Sequence, residues 1–116
     1  MMVALKTLPE AEKEALHLLG GGKAEHCAAV GSLLEVFKDA ALGGVSSGSP
    51  PFVQQTPNVE LATVSQNGVL MVIARVPSTD GALLILTLMR TYVGGPQRNI
   101  AVNDAIARLK ASGWWI

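Results

Sequence analysis

The side chains best suited to nucleophilic or metal chemistry are His17, His26 and Cys27. A nucleophile–base dyad needs its two groups within hydrogen-bond reach of each other. His26 and Cys27 are neighbours in a stretch that reads as helix, where adjacent side chains point about a third of a turn apart, so no dyad is expected. A free cysteine behaves as a small apolar residue, which places Cys27 in the core. Two histidines and a cysteine are a usable zinc donor set, but no ligand spacing accompanies them. Both histidines are expected on the surface, and neither a metal nor a cofactor is expected. Gly20-Gly21-Gly22-Lys23 lacks the spacing and the following Ser/Thr of a phosphate loop and reads as a helix stop. Glu10, Glu12 and Glu14 fall in the first turns of a helix, complement its dipole, and read as a solvated face rather than a paired acid/base site.

These groups must be positioned by a recognisable series of elements. Residues 2–6 suit a short strand. Thr7-Leu8-Pro9-Glu10 reads as a helix start, with Thr7 as the cap, Pro9 in the first turn and Glu10 completing a capping box. Leu8, Ala11, Ala15 and Leu18 share one face. A second helix is predicted over 23–42, with Cys27, Val30, Leu34, Phe37 and Ala41 as its apolar stripe. Residues 43–58 carry no charge and are mostly Gly, Ser, Pro and Gln, which predicts a long loop anchored by Phe52-Val53. Strands follow at 59–65, 69–76 and 82–91. Asn67-Gly68 makes the first hairpin turn and 77–81 the second. The last two strands are almost continuously apolar, which implies cover on both faces. Helices can supply one cover and a second subunit the other. Gly94-Gly95-Pro96 breaks the chain, and Asn99 is expected to cap a helix over 100–111. The tail Trp114-Trp115-Ile116 is expected to place one indole on the domain and one on a partner.

The chain has 116 residues, enough for one domain spanning 1–116. It is 49% hydrophobic and only 16% charged, with nine basic and nine acidic residues. Average domains carry about 25% charged residues, so an exposed apolar patch and a partner surface are expected here. A neutral chain is poorly equipped for a phosphate backbone, and a nucleic-acid partner is not expected. One cysteine excludes an intrachain disulfide, and no leader is apparent. The expected location is the cytoplasm, with no membrane involvement.

Several segments carry a family likeness. Pro9-Glu10-Ala11-Glu12-Lys13-Glu14 opens the first helix after a short strand. Val59-Glu60-Leu61-Ala62-Thr63-Val64 has the form of an x-x-E-L-R-V strand. Leu70–Val76 and Leu84–Arg90 supply the next two strands, and Gly95–Ile100 with Ala107–Lys110 the final loop and helix. In this order the chain resembles the RelE/ParE/HigB toxin superfamily over most of its length outside the long loop. The resemblance implies an α+β fold, β-α-α-β-β-β-α, with an antiparallel sheet packed against helices. It also implies an mRNA endonuclease that uses basic residues and a Tyr or His to activate the 2′-hydroxyl and steady the phosphate. The matching candidates are Arg75, Arg90, Tyr92 and Arg98. Ala62 and Thr63 depart from the pattern, standing where the family has a basic residue, and phosphoryl transfer needs concentrated positive charge.

Three functions are therefore in view. The first is a non-enzymatic regulator that binds a protein partner, such as an anti-activator masking a transcription regulator. Its contact residues would be Phe52, Val53, Trp114, Trp115 and Ile116, and a homodimer is expected. The second is a RelE-type endonuclease. The third is a structural or phage-derived assembly subunit.

Overall fold

The computed structural model describes residues 4–41, 52–78 and 81–116. The elements are β1 (Ala4–Thr7), α1 (Pro9–Gly20), α2 (Ala24–Ala41), β2 (Val53–Thr56), β3 (Val59–Gln66), β4 (Val69–Ser78), β5 (Gly81–Thr91) and α3 (Gln97–Ala111). The fold is α+β, and the strands form one sheet in the order β1-β5-β4-β3-β2. Every pairing is antiparallel except that of β1 with β5, which is parallel with Ala4 opposite Leu83 and Thr7 opposite Leu86.

Alternation along the strands divides the core into two layers. Met71 and Ile73 on β4 and Leu84, Leu86 and Met89 on β5 meet Ala11, Ala15 and Leu18 of α1 and Ala29, Val30, Leu33 and Phe37 of α2. Leu70, Val72, Ala74 and Val76 on β4, with Ile85 and Leu88 on β5, meet Ala101, Ala105 and Leu109 of α3. Both faces of the central strands are thus covered, as their continuous apolar runs require. The second cover is α3 and the tail, where a second subunit was one expectation.

The hairpin between β3 and β4 turns on Asn67 (φ 46°) and Gly68 (φ 80°), with Gln66 opposite Val69. Two consecutive positive φ values are the two-residue turn that Asn-Gly favours.

Several local expectations are corrected. Thr7 does not cap α1. It remains in β1, the Leu8 N–H donates to the Leu86 carbonyl, and Leu8 becomes the N-cap without a side-chain bond. Pro9 holds the first helical position as expected. α3 starts at Gln97, with Pro96 as N-cap, so Asn99 lies inside the helix. The apolar face of α2 centres on Leu33 rather than Leu34, and Cys27 is only half-buried. Within the expected 43–58 loop, Val53–Thr56 form an edge strand on β3. The rest of that loop up to residue 51 lies outside the described residues, as do positions 79 and 80 of the second turn. No described helix is long and apolar enough to cross a membrane.

Candidate functional site: an arginine–carboxylate cluster at the open end of β5

β1 is four residues long and covers β5 only as far as Leu86. Beyond that point β5 has no strand on that side among the described residues, and α1 runs beside it. A buried backbone donor or acceptor left unpaired costs about as much as a lost hydrogen bond, so the open segment needs substitutes. Two side chains supply them. Glu14 of α1 accepts from the Met89 N–H at 3.2 Å. Arg108 of α3 donates to the Thr87 carbonyl at 2.9 Å. Thr87 itself lies at a bulge, between the Val72–Leu88 and Ile73–Leu86 pairs, and its hydroxyl donates to the Val72 carbonyl at 2.8 Å. It is the one buried polar residue among those described.

Glu14 and Arg108 also bind each other through two contacts, 2.7 and 3.0 Å. Such paired, charge-assisted bonds fix orientation as well as distance. Arg90 joins them. Its Nε donates to Glu14 Oε2 at 2.6 Å and its Nη1 donates to Asp104 of α3. Two guanidinium groups and two carboxylates therefore tie α1, β5 and α3 together with no net charge.

Burial pushes the Glu14 carboxyl up, but hydrogen bonds from Arg108, Arg90 and the Met89 amide outweigh it and hold the group below its ordinary range. Burial lowers the Arg90 pKa, and Glu14 and Asp104 raise it by more. Arg90 is thus a fixed cation and not a proton donor near neutrality.

The other expected site residues fall in two places. Tyr92 follows β5, and Arg98 on α3 lies over its ring at 5.7 Å from the centroid. Arg90, Tyr92 and Arg98 therefore gather at one end of the sheet. Arg75 does not join them. It pairs across the sheet with Glu60 at 2.6 Å and lies over the Phe52 ring at 4.2 Å. Leu70, which faces Arg90 in register, is five residues along β4 from Arg75, roughly 16 Å.

An open cleft of about 620 Å³ adjoins the cluster, between Lys13, Glu14 and His17 of α1 and Met89, Arg90 and Thr91 of β5. His17 lines this cleft. His26 instead abuts the hairpin, where a Cβ on Gly68 would lie 3.6 Å from its Nε2. Cys27 donates its S–H to the Leu19 carbonyl at 3.4 Å and so links the two helices. Among the described residues, no three His, Cys, Asp or Glu side chains come together around a metal position.

The expected partner contacts are spread across the molecule. Phe52 is half-buried against the α1–α2 layer, and Val53 is 60% exposed on β2. Trp114 and Trp115 both pack half-buried on the α3-side core, beneath Lys6 and Lys110 respectively. Ile116 is exposed, and its carbonyl accepts from the Thr56 hydroxyl at 2.7 Å.

Sequence reasoning missed Glu14, Asp104 and Arg108. Glu14 was read as solvated, yet it lies three residues after Ala11 and four before Leu18, inside the buried stripe. That spacing was the available signal. Asp104 and Arg108 are an oppositely charged i,i+4 pair, which marks one helix face but not its target.

Compared with protein families, curated proteins and solved structures, the chain matches none.

Proposed function

We propose that this chain is a small regulatory protein that acts by binding a protein partner, on a RelE-like scaffold whose strand arginines, Arg75 and Arg90, serve the scaffold. The observation that carries this reading is the pairing of Arg75 and Arg90 with carboxylates of their own chain. A phosphodiester-cleaving site stabilises developing negative charge with cations aimed at it. Here Glu14 and Asp104 already hold Arg90, and Glu60 holds Arg75. A carboxylate beside each cation also repels a phosphate. Exposed Leu16, Leu19, Val53, Val93 and Ile100 supply apolar surface for a protein contact. An anti-activator that masks a transcription regulator is the form of partner binding we favour.

One observation favours the endonuclease alternative: Arg90, Tyr92 and Arg98 do converge beside a cleft that also holds Lys13 and His17. Induced expression in a bacterial host separates the two. Normal growth, with a specific protein retained on the immobilised chain, is the expected result. Growth arrest with mRNA cleavage, lost on Tyr92→Phe in a variant that still folds, overturns the proposal.

A further inference from the structure

The α3 side of the sheet has an open groove of about 660 Å³ between β2, β3 and α3. Its apolar lining is Val53, Leu61 and Val102, and its neutral polar lining includes Gln55, Thr63 and Asn103. Among the described residues, Arg98 is the single charged one that lines it. We propose that this groove receives an extended, acidic segment of the partner protein, laid along β2 as an added strand with a carboxylate on Arg98. This rests on the protein-binding reading above and names the surface and the chemistry of the partner.

Three features support it. Among the described residues β2 is the outermost strand of the sheet, so alternate backbone groups point away from β3 and offer a ladder to an incoming strand, with the Gln55 side chain on the Val53 carbonyl at 3.3 Å to be displaced. β2 carries no charge along Val53-Gln54-Gln55-Thr56, and Val53 is 60% exposed, so an arriving strand meets no charged guard on β2 itself. Neutral amides and a hydroxyl beside an apolar floor match a peptide, whose backbone needs hydrogen bonds and whose alternate side chains need apolar cover. The charge complement sets the sign. No carboxylate among the described residues lines the groove to compete for Arg98, and the first turn of α3 has no acidic residue. Arg98 is also pre-positioned, because it lies over Tyr92 and the Gln97 side chain accepts from the Val93 N–H at 2.8 Å.

An RNA strand fits less well. Its backbone calls for several cations, and its bases for free aromatic faces. Among the described residues the groove offers one cation, and its lining includes no aromatic ring.

The test uses the full chain as target for a phage library of random twelve-residue peptides, with a labelled twelve-nucleotide single-stranded RNA as the competing probe. Arg98→Glu and Val53→Lys are both surface changes, and circular dichroism checks that each variant folds. The expected result is enrichment of peptides that combine Asp or Glu with β-branched residues. Their affinity falls at least tenfold on either variant, and a Glu-to-Lys exchange in the peptide recovers binding to Arg98→Glu. No enrichment, enrichment without acidic preference, binding to either variant as tight as to wild type, or tighter binding of the RNA overturns the proposal. A partner retained equally by wild type, Arg98→Glu and Val53→Lys would leave the protein-binding reading intact and refute this groove.

Discussion

Replacing Glu14 with alanine removes the carboxylate that Arg90, Arg108 and the Met89 amide share. Three consequences follow together: the Met89 N–H loses its acceptor, Arg108 keeps only the Thr87 carbonyl, and Arg90 keeps only Asp104. A charge-assisted hydrogen bond contributes about 1.5–3 kcal/mol, and breaking a fully buried ion pair costs about 3–5 kcal/mol. Here the side chains of Glu14 and Arg108 retain 21% and 16% exposure, so water offsets part of the loss. The bonds also share one carboxylate and do not add. We expect a destabilisation of about 2–3 kcal/mol. For a domain of this size that lowers Tm by roughly 8–12 °C. Urea and thermal unfolding of Glu14→Ala, with Glu12→Ala as an exposed control, measure it. Glu14→Gln keeps one acceptor and should fall between the two. A loss for Glu14→Ala no larger than that of Glu12→Ala would refute the idea that this cluster closes the β5 edge.

The same carboxylate sets an acid limb. Its folded pKa lies below its unfolded value, so its contribution is complete above the unfolded value, about 4.3, and is lost as pH falls through the folded one. Stability should therefore drop below about pH 4 in the wild type and drop less in Glu14→Gln, as urea midpoints between pH 3 and 7 would show. Thr87→Val should cost about 1–2 kcal/mol, since the Val72 carbonyl loses a buried donor. A urea midpoint unchanged from wild type would count against that. Gly68→Ala should cost about 1 kcal/mol because its φ is positive, and amide exchange across the β3–β4 hairpin should accelerate. Trp114 lies under Lys6, so Lys6→Ala should shift the tryptophan emission while leaving Tm within about 2 °C.

The parts of this fold that the sequence revealed are those that local chemistry decides. Asn67-Gly68 announced its turn, the apolar runs 69–76 and 82–91 announced the two central strands, and Leu8, Ala11, Ala15 and Leu18 are all buried as their spacing predicted. The parts that stayed hidden depend on partners distant in sequence. Val53-Gln54-Gln55-Thr56 is short and lies between Pro51 and Pro57, so its two β-branched residues gave no alternation to read, and it pairs as a strand on β3. Thr7 is a sound helix cap by type, but its place in the β1–β5 ladder takes precedence. Arg75 and Arg90 were legible as cations on strands. Their neutralisation was not, because Glu14 and Arg90 are 76 positions apart and meet only once α1 lies beside β5. Glu60 sits directly opposite Arg75 in register, a relation the hairpin turn fixes and periodicity alone does not.

The parallel pairing of β1 with β5 joins Ala4 to Leu83, positions 79 residues apart (83 − 4), with the whole β2–β3–β4 meander between them. On a ribosome that adds about 5–20 residues per second, β1 waits some 4–16 s for its partner strand to be made. The buried faces of α1 and α2 wait as well, because Leu84, Leu86 and Met89 of β5 complete the layer they pack against. The nascent chain therefore presents two amphipathic helices and an unpaired strand until β5 has been made. A chain stopped short of residue 83 leaves them in that state. Productive folding of this domain waits for β5, and the interval before it is when the chain most needs protection from aggregation.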